Sequence, residues 1–145
     1  MATFSQANRP LRVDTTLGED VLLLERLSAS EGVSQPFDCN LDLLSTDQGI
    51  DGKALLRTPM RVTVKLVDGS ERYFHGLVRR FATLGRSEDL AFYRAEVVPW
   101  LWFLSLSSDC KIFQKKTVPE IFEEVFTSQG YSDFEFKLVK RITNG

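Results

Sequence analysis

Side chains that could carry catalysis or hold a metal are few in this sequence. It has one histidine, His75, and two cysteines, Cys39 and Cys110, among 145 residues. A hydrolase of the nucleophile and base type needs a serine or cysteine, a histidine and a carboxylate together, yet His75 stands in a strand-like segment without a Gly-x-Ser-x-Gly turn. A zinc site would also lack the usual CxxC or HxxxH spacing. The sequence therefore predicts a protein that is not an enzyme, with no catalytic residue, no metal site and no cofactor.

The two cysteines are predicted to be buried free thiols. They lie far apart in the sequence, and the chain begins without a secretion signal. Disulfides belong mainly to oxidising compartments. Cys39 also falls on the apolar side of an alternating segment, where a packed thiol is the ordinary outcome.

The sequence gives little support for a phosphate-binding loop, a pair of catalytic carboxylates or an aromatic ligand site. The loops at Leu84–Ser87 and Val67–Ser70 hold a single glycine each and no following Lys-Ser or Lys-Thr, which argues against a phosphate-binding loop. A glycosidase-like pair of carboxylates stays open, because no particular pair stands out. Trp100 and Trp102 lie among large apolar residues that could form a ligand box, an oligomer contact or a core plug. We expect a plug at the end of the sheet.

Composition excludes several classes of partner. Eighteen Lys and Arg against twenty Asp and Glu give a net charge of −2, which does not fit a nucleic-acid binder with a strongly basic surface. No stretch approaches the roughly 18 apolar residues of a membrane-spanning helix. A polar start without an apolar core also argues against a signal peptide, so we expect synthesis in the cytoplasm.

Strands dominate the elements that must position these side chains. Alternating apolar and polar residues predict strands over Leu11–Thr15, Val21–Ser28 and Phe37–Leu43, and an antiparallel meander over residues 60–98. The turn Leu17–Asp20 predicts that the first two strands form a hairpin. Within the long segment Tyr73–Leu84, Gly76 and the Arg79-Arg80 pair predict a bend or bulge.

Helices are predicted at three places. One helical turn is expected at Ala54–Leu56, and Pro99 suits the start of a short helix over Trp100–Leu104. Thr117 and Glu120 match a capping box, and Gly130 matches a helix end. The apolar stripe of this helix is Val118, Ile121, Phe122, Val125 and Phe126, and a last strand is expected to alternate through Phe134, Phe136 and Leu138. The predicted fold class is mainly β: a curved antiparallel sheet or small β-barrel, capped by a helix near residues 118–129.

Three blocks of sequence carry a resemblance to a known family. They are Phe74–Val78 (FHGLV), Glu96–Leu104 (EVVPWLWFL) and Cys110–Phe122 (CKIFQKKTVPEIF). In this order and spacing they resemble the N-terminal region of VgrG, the spike protein of the bacterial type VI secretion system. The segments Phe37–Leu44 and Leu56–Val64 extend the resemblance to about residues 10–140.

The resemblance implies a structural part of a larger machine. A VgrG-type chain would form the homotrimeric tip of a spike, with β-barrels similar to those of contractile phage tail hubs, and would sit on the Hcp tube. The spike would be exported to the target cell or the medium without a signal peptide, puncture membranes and deliver effector proteins in virulence, through C-terminal regions missing here. Few apolar residues precede Pro10, which predicts a flexible tail over residues 1–9. By the resemblance, residues 10–140 are the first hub-like barrel and 141–145 the C-terminal tail of a truncated chain.

Two other interpretations stay open. The chain could be a tail hub or baseplate protein of a contractile phage or prophage, or a small ligand-binding β-barrel that uses the aromatic cluster. We also expect the isolated chain to self-associate if a missing partner normally covers Trp100–Leu104 or an edge strand near Phe134.

Overall fold

The computed structural model describes residues 4–137, in which six strands form one antiparallel sheet. The strands are β1 (Leu11–Asp14), β2 (Leu23–Gly32), β3 (Gln35–Ser45), β4 (Pro59–Lys65), β5 (Glu71–Arg86) and β6 (Ala91–Val98), and the helices are α1 (Gly52–Leu55), α2 (Trp100–Leu104) and α3 (Val118–Ser128). The chain groups into two compact units, Met1–Trp102 with the whole sheet and Phe103–Gly145 with α3. The mainly β fold class is confirmed. The division into a barrel over 10–140 and two tails stays a prediction.

The order of strands in the sheet is β1-β4-β5-β6-β3-β2. The predicted meander over 60–98 is confirmed as β4, β5 and β6, each antiparallel to the next. The predicted hairpin of the first two strands is wrong, because β1 pairs with β4 while β2 pairs with β3. These two strands are instead the opposite edges of the sheet. The prediction failed because a turn sequence indicates where the chain reverses, but not which strand the next segment pairs with.

The core lies on the concave face of the curled sheet. In β3 the buried apolar side chains are Cys39, Leu41 and Leu43, as the alternation predicted. The neighbouring β6 buries Ala91, Tyr93, Ala95 and Val97 on the same side. Because successive side chains of a strand point to opposite faces, the intervening polar residues Asp38, Asn40 and Asp42 lie on the outer face.

Gln6 joins the two edges of the sheet. It lies in the segment predicted to be a tail, but its side chain is buried. Its amide oxygen accepts from the Val13 N–H at 3.0 Å, while its amide nitrogen donates to the carbonyls of Val13 at 2.7 Å and Leu22 at 3.4 Å. Val13 belongs to β1 and Leu22 precedes β2, so one side chain bridges both edges of the half-barrel.

β5 carries the predicted irregularities. Its register against β6 shifts between Val78 and Arg80 and again between Thr83 and Gly85. Gly76 marks a close approach of two strands, since a Cβ built there would lie 2.4 Å from the Val98 carbonyl oxygen. Bulges increase the local twist of a strand, which explains how one 16-residue strand can pair with β4 and β6 within a curled sheet.

α3 starts and stops where the sequence predicted. The backbone N–H and the hydroxyl of Thr117 both donate to Glu120 Oε2, at 2.6 and 2.8 Å. These bonds, the backbone one foremost, hold the pKa of the Glu120 carboxyl below its usual value. After the helix, Gly130 adopts a φ of +83°, and the Tyr131 N–H bonds the Phe126 carbonyl at 3.0 Å. A positive φ at this position is the usual glycine-assisted helix end.

Two predictions near the second unit are wrong. The segment Trp100–Leu104 is the predicted short helix, but none of its residues is buried, so it is not a core plug. The expected last strand does not form over residues 131–137, and Leu138 lies outside the described residues. Phe134 instead packs edge-on against Phe126, with ring centroids 5.1 Å apart, because an apolar helix stripe offers it a local partner.

Candidate interaction surfaces

The structure keeps the potential catalytic residues apart. His75 is exposed on the outer face of β5, where it lines a shallow depression with Asp14 and Arg61, whereas Cys39 is buried on the opposite face of the sheet. Within residues 4–137 no group of three or more His, Cys, Asp or Glu side chains could hold a metal ion. In the same range no helix is long and apolar enough to cross a membrane.

The two cysteines are free, as predicted, but only Cys39 is buried; the prediction of a buried Cys110 is wrong. Cys110 follows α2 in a segment without regular structure, which supplies no core to cover it. Burial, with the nearby charges of Asp38 and Glu31, raises the pKa of the Cys39 thiol from 9.0 to about 11. A buried thiol with a raised pKa is unreactive, because the thiolate is the nucleophile.

We expect a thiol reagent at neutral pH to modify Cys110 in the folded chain and Cys39 only after unfolding. Because folding raises the pKa of Cys39, this thiol supports stability fully below pH 9.0 and loses that contribution as pH rises to about 11. Mass spectrometry after alkylation, with and without urea, measures the first effect. Comparing unfolding between pH 8 and 11 with that of Cys39→Ala measures the second. Rapid alkylation of Cys39 in the native chain would contradict the buried position.

An ion-pair cluster lies on the outer face where the first unit ends. Arg79 Nη2 bonds Asp38 Oδ2 at 2.7 Å and Glu96 Oε2 at 2.8 Å. The guanidinium also lies 4.7 Å from the ring centroid of Trp102. Partial burial by itself would lower the pKa of Arg79, but the hydrogen bonds to Glu96 and Asp38 outweigh this effect and raise the pKa above its usual value. The cluster therefore ties strands β3, β5 and β6 to the start of α2.

A second charged network covers the outer face of β1, β4 and β5. Arg12 pairs with Glu71, and the Tyr73 hydroxyl donates to the same carboxylate at 2.5 Å. That bond lowers the pKa of Glu71 and raises the pKa of Tyr73. Arg61 pairs with Asp14 at 3.0 Å and lies 5.9 Å from the Tyr73 ring centroid. Arginine and tyrosine are enriched in protein interfaces, and exposed ion pairs contribute little to stability.

The second unit carries an aromatic stripe, which we define as Phe122, Phe126, Phe134 and Phe136. Successive ring centroids are 5.6, 5.1 and 5.5 Å apart. α3 has no buried residue, and Val118 and Phe122 are each 47% exposed. An amphipathic helix gains most of its stability by burying its apolar side, so this stripe fits a surface that meets another protein.

We expect the isolated chain to self-associate at millimolar concentration, and Phe122→Glu to shift it toward monomer because the new charge would be buried in the contact. Static light scattering across a concentration series measures the effect. Glu123→Gln, on the polar side of α3, is the matched control and should behave as the parent chain. A strictly monomeric parent chain at this concentration would contradict the prediction.

Gln6 and Arg79 are the two structural residues whose roles the sequence did not indicate. Gln6 lies in the polar N-terminal segment that the sequence predicts to be a tail. Nothing in the neighbouring residues indicates that its amide side chain is buried. The sequence indicates Arg79 only as part of a predicted bend or bulge. Its partners Asp38 and Glu96 lie on other strands, at sequence separations of 41 and 17 residues, which no local pattern connects.

A solved structure shares this fold. It is described as the E. coli c3393 protein, a component of the type VI secretion system with structural similarity to the T4 bacteriophage tail proteins gp27 and gp5. The TM-score is 0.56 at 24% sequence identity, and the match covers 85% of this chain and 31% of the other. The likeness places the chain in the class of proteins that share this fold, a curled antiparallel half-barrel.

The sequence identifies the family within that class. A family model described as the phage tail baseplate hub (GPD) matches residues 30–143, and the chain belongs to this family. Two curated relatives are the type VI secretion system spike proteins VgrG1c and VgrG1a of Pseudomonas aeruginosa. VgrG1c is 42% identical over 132 residues and VgrG1a 41% identical over 135 residues, which are 91% and 93% of this chain. The chain spans only about a fifth of their length, 18% and 21%.

Proposed function

We propose that this chain is a hub domain of a type VI secretion spike and acts by packing against other subunits, without catalytic turnover. The observation that carries the proposal is the 42% identity to a spike protein over 91% of the chain. The sheet separates His75 from Cys39, which agrees with a structural role because this histidine cannot act as the base for that thiol.

The proposed assembly is a homotrimer in the longer form of the protein, seated on the Hcp tube. The spike would leave the cytoplasm through the apparatus without a signal peptide and would puncture the target membrane. Effector proteins would be carried through regions beyond this domain. What this chain supplies is a stiff, self-contained sheet unit with several exposed surfaces available for neighbours.

Stiffness follows from how the sheet is held. Strands β3, β4, β5 and β6 each pair on both sides, so their backbone hydrogen bonds are shared with two neighbours. Gln6 bonds both edges, and Arg79 ties three strands on the outer face. A close-packed interior has low compressibility and transmits strain. Such a unit is suited to pass an axial force from a contracting sheath to a spike.

The test uses the longer spike protein that contains this chain, together with recombinant Hcp. Light scattering should give the mass of a trimer, and chemical cross-linking followed by mass spectrometry should join residues of this domain to Hcp. A matched sample with the domain deleted should lose the cross-links. A monomeric spike with no Hcp cross-link would overturn the proposal.

A tail hub of a contractile phage or prophage is the second candidate, favoured by the description of the matching family model. The physics of assembly would be the same in both machines. The neighbouring genes separate the two: tail tube and capsid genes would indicate a phage, whereas type VI sheath and Hcp genes would indicate a secretion system.

A further inference from the structure

We infer that a cavity on the outer face of the first unit binds a guanidinium group. The cavity lies beside β1, β4 and β5 and has a volume of about 350 Å³, which is within the size range of sites for small molecules. We call it the β1 cavity and define it by Glu19, Asp20, Thr63 and Tyr73. All of its lining residues except Ala7 carry a polar group in the side chain, so a ligand there is recognised by charge and hydrogen bonds.

Thr63 is a buried polar residue whose side chain has no partner. It is 3% exposed and lies between Arg12 of β1 and Tyr73 of β5 in the register of the sheet, so all three side chains share the outer face. Its hydroxyl makes no hydrogen bond within residues 4–137. In the same range every fully buried polar side-chain atom has a partner, so the hydroxyl of Thr63 opens into the cavity that the residue lines. Buried polar groups are nearly always hydrogen-bonded, and this one is available to a ligand.

The positive charges that line the β1 cavity are already neutralised. Arg12 pairs with Glu71, and Arg61 pairs with Asp14 at 3.0 Å. All four of these side chains line the cavity. A second anion would have to displace one of these carboxylates, so the two arginines do not make the cavity an anion site.

Two further carboxylates give the cavity an excess of negative charge. Glu19 and Asp20 lie in the turn between β1 and β2, and neither forms an ion pair with any residue of the described part of the chain. Asp20 Oδ1 accepts the backbone N–H of Gln6 at 3.0 Å, which fixes the turn to the N-terminal segment and leaves the charge in place. The uncompensated charge of the cavity therefore selects a cation.

The acceptors in the β1 cavity indicate which kind of cation it takes. Besides the two unpaired carboxylates, the oxygen of Thr63 can accept an N–H, and so can that of Tyr73, because the tyrosine uses its own proton to bond Glu71 at 2.5 Å. Within residues 4–137 no three His, Cys, Asp or Glu side chains could hold a metal ion, so the cation is organic. A guanidinium has five N–H donors in one plane, bonds carboxylates in pairs and is less strongly hydrated than an ammonium. It is the organic cation that this set of acceptors fits best.

The binding experiment uses N-acetyl-arginine amide, which carries one guanidinium, and N-acetyl-citrulline amide, its neutral analogue of nearly the same shape. Each compound is titrated into the isotope-labelled full chain to tens of millimolar, and heteronuclear NMR follows the backbone amides. We expect saturable shifts at the amides of Thr63 and Tyr73 with the arginine compound. The citrulline compound should bind at least about fivefold more weakly, because it offers no charge to the two carboxylates.

Two substitutions test the groups that define the cavity. Glu19→Gln removes one unpaired carboxylate and Thr63→Val removes the unpartnered hydroxyl, and each should weaken binding of the arginine compound about fivefold or more. Glu88→Gln is the matched control, because it removes an exposed carboxylate in the turn between β5 and β6 and changes the net charge equally. It should bind as the parent chain does. Urea unfolding checks the fold, and Thr63→Val should be as stable as the parent because its hydroxyl has no protein partner to lose.

A third compound, ethylguanidinium, separates the two sources of such a group. Tighter binding of N-acetyl-arginine amide would indicate the arginine side chain of another protein, and equal binding a free small molecule; both results support the site. No saturable shift with either guanidinium compound would overturn the inference. So would equal binding of the citrulline compound, or unchanged binding by both Glu19→Gln and Thr63→Val. None of these results bears on the proposed function, which the cross-linking experiment tests separately.

Discussion

Replacing Gly76 by alanine is expected to lower the free energy of unfolding by about 3 kcal/mol or more. A Cβ at this position would lie 2.4 Å from the carbonyl oxygen of Val98 and 2.8 Å from its carbonyl carbon. These are backbone atoms of the neighbouring strand, which cannot turn away as the end of a flexible side chain can. Relief would require β5 and β6 to separate where their ladder begins at the Leu77–Val98 pair.

Urea unfolding followed by tryptophan fluorescence measures this loss. Gly85→Ala is the matched control in the same strand, because a Cβ there would meet no atom within 4 Å. We expect that control to stay within about 0.5 kcal/mol of the parent chain. If both alanine variants were equally stable, the close approach of β5 and β6 at Gly76 would be wrong.

Replacing Gln6 by leucine is expected to cost about 3 kcal/mol. Leucine has a similar size but no polar atoms, so the N–H and carbonyl of Val13 and the carbonyl of Leu22 would lose the bonds that Gln6 provides. A buried donor or acceptor without a partner costs most of its hydration free energy. The two edges of the half-barrel would then be held together less firmly.

Hydrogen exchange gives a local measurement beside the unfolding experiment. The Val13 amide should exchange faster in Gln6→Leu than in the parent chain, because its acceptor is gone. Ser5→Ala is the neighbouring control: its hydroxyl accepts from the exposed Ala7 N–H, and its removal should change stability by less than about 0.5 kcal/mol. Unchanged exchange at Val13 would show that Gln6 does not join the edges.

Local patterns predicted much of this structure because the relevant physics is local. A period of two residues predicted that Cys39, Leu41 and Leu43 share the buried face of β3. The capping box and Gly130 predicted both ends of α3, since a cap satisfies backbone groups within a few residues of itself. The same kind of reasoning failed for Phe134, where alternation predicted a strand and the aromatic side chain packs on Phe126 instead.

What the sequence determined by itself is the presence of the six strands of the sheet, the buried side of β3, the main helix and the family resemblance. Tertiary structure decided which strands pair. The backbone N–H and C=O groups at a strand edge are nearly the same for every residue, so they do not specify which strand becomes the partner. It decided that β1 and β2 are opposite edges joined by Gln6. It also decided that Arg79 meets Asp38 and Glu96, and that Arg72 meets Glu31. These features depend on contacts between distant residues, which form only when the sheet curls.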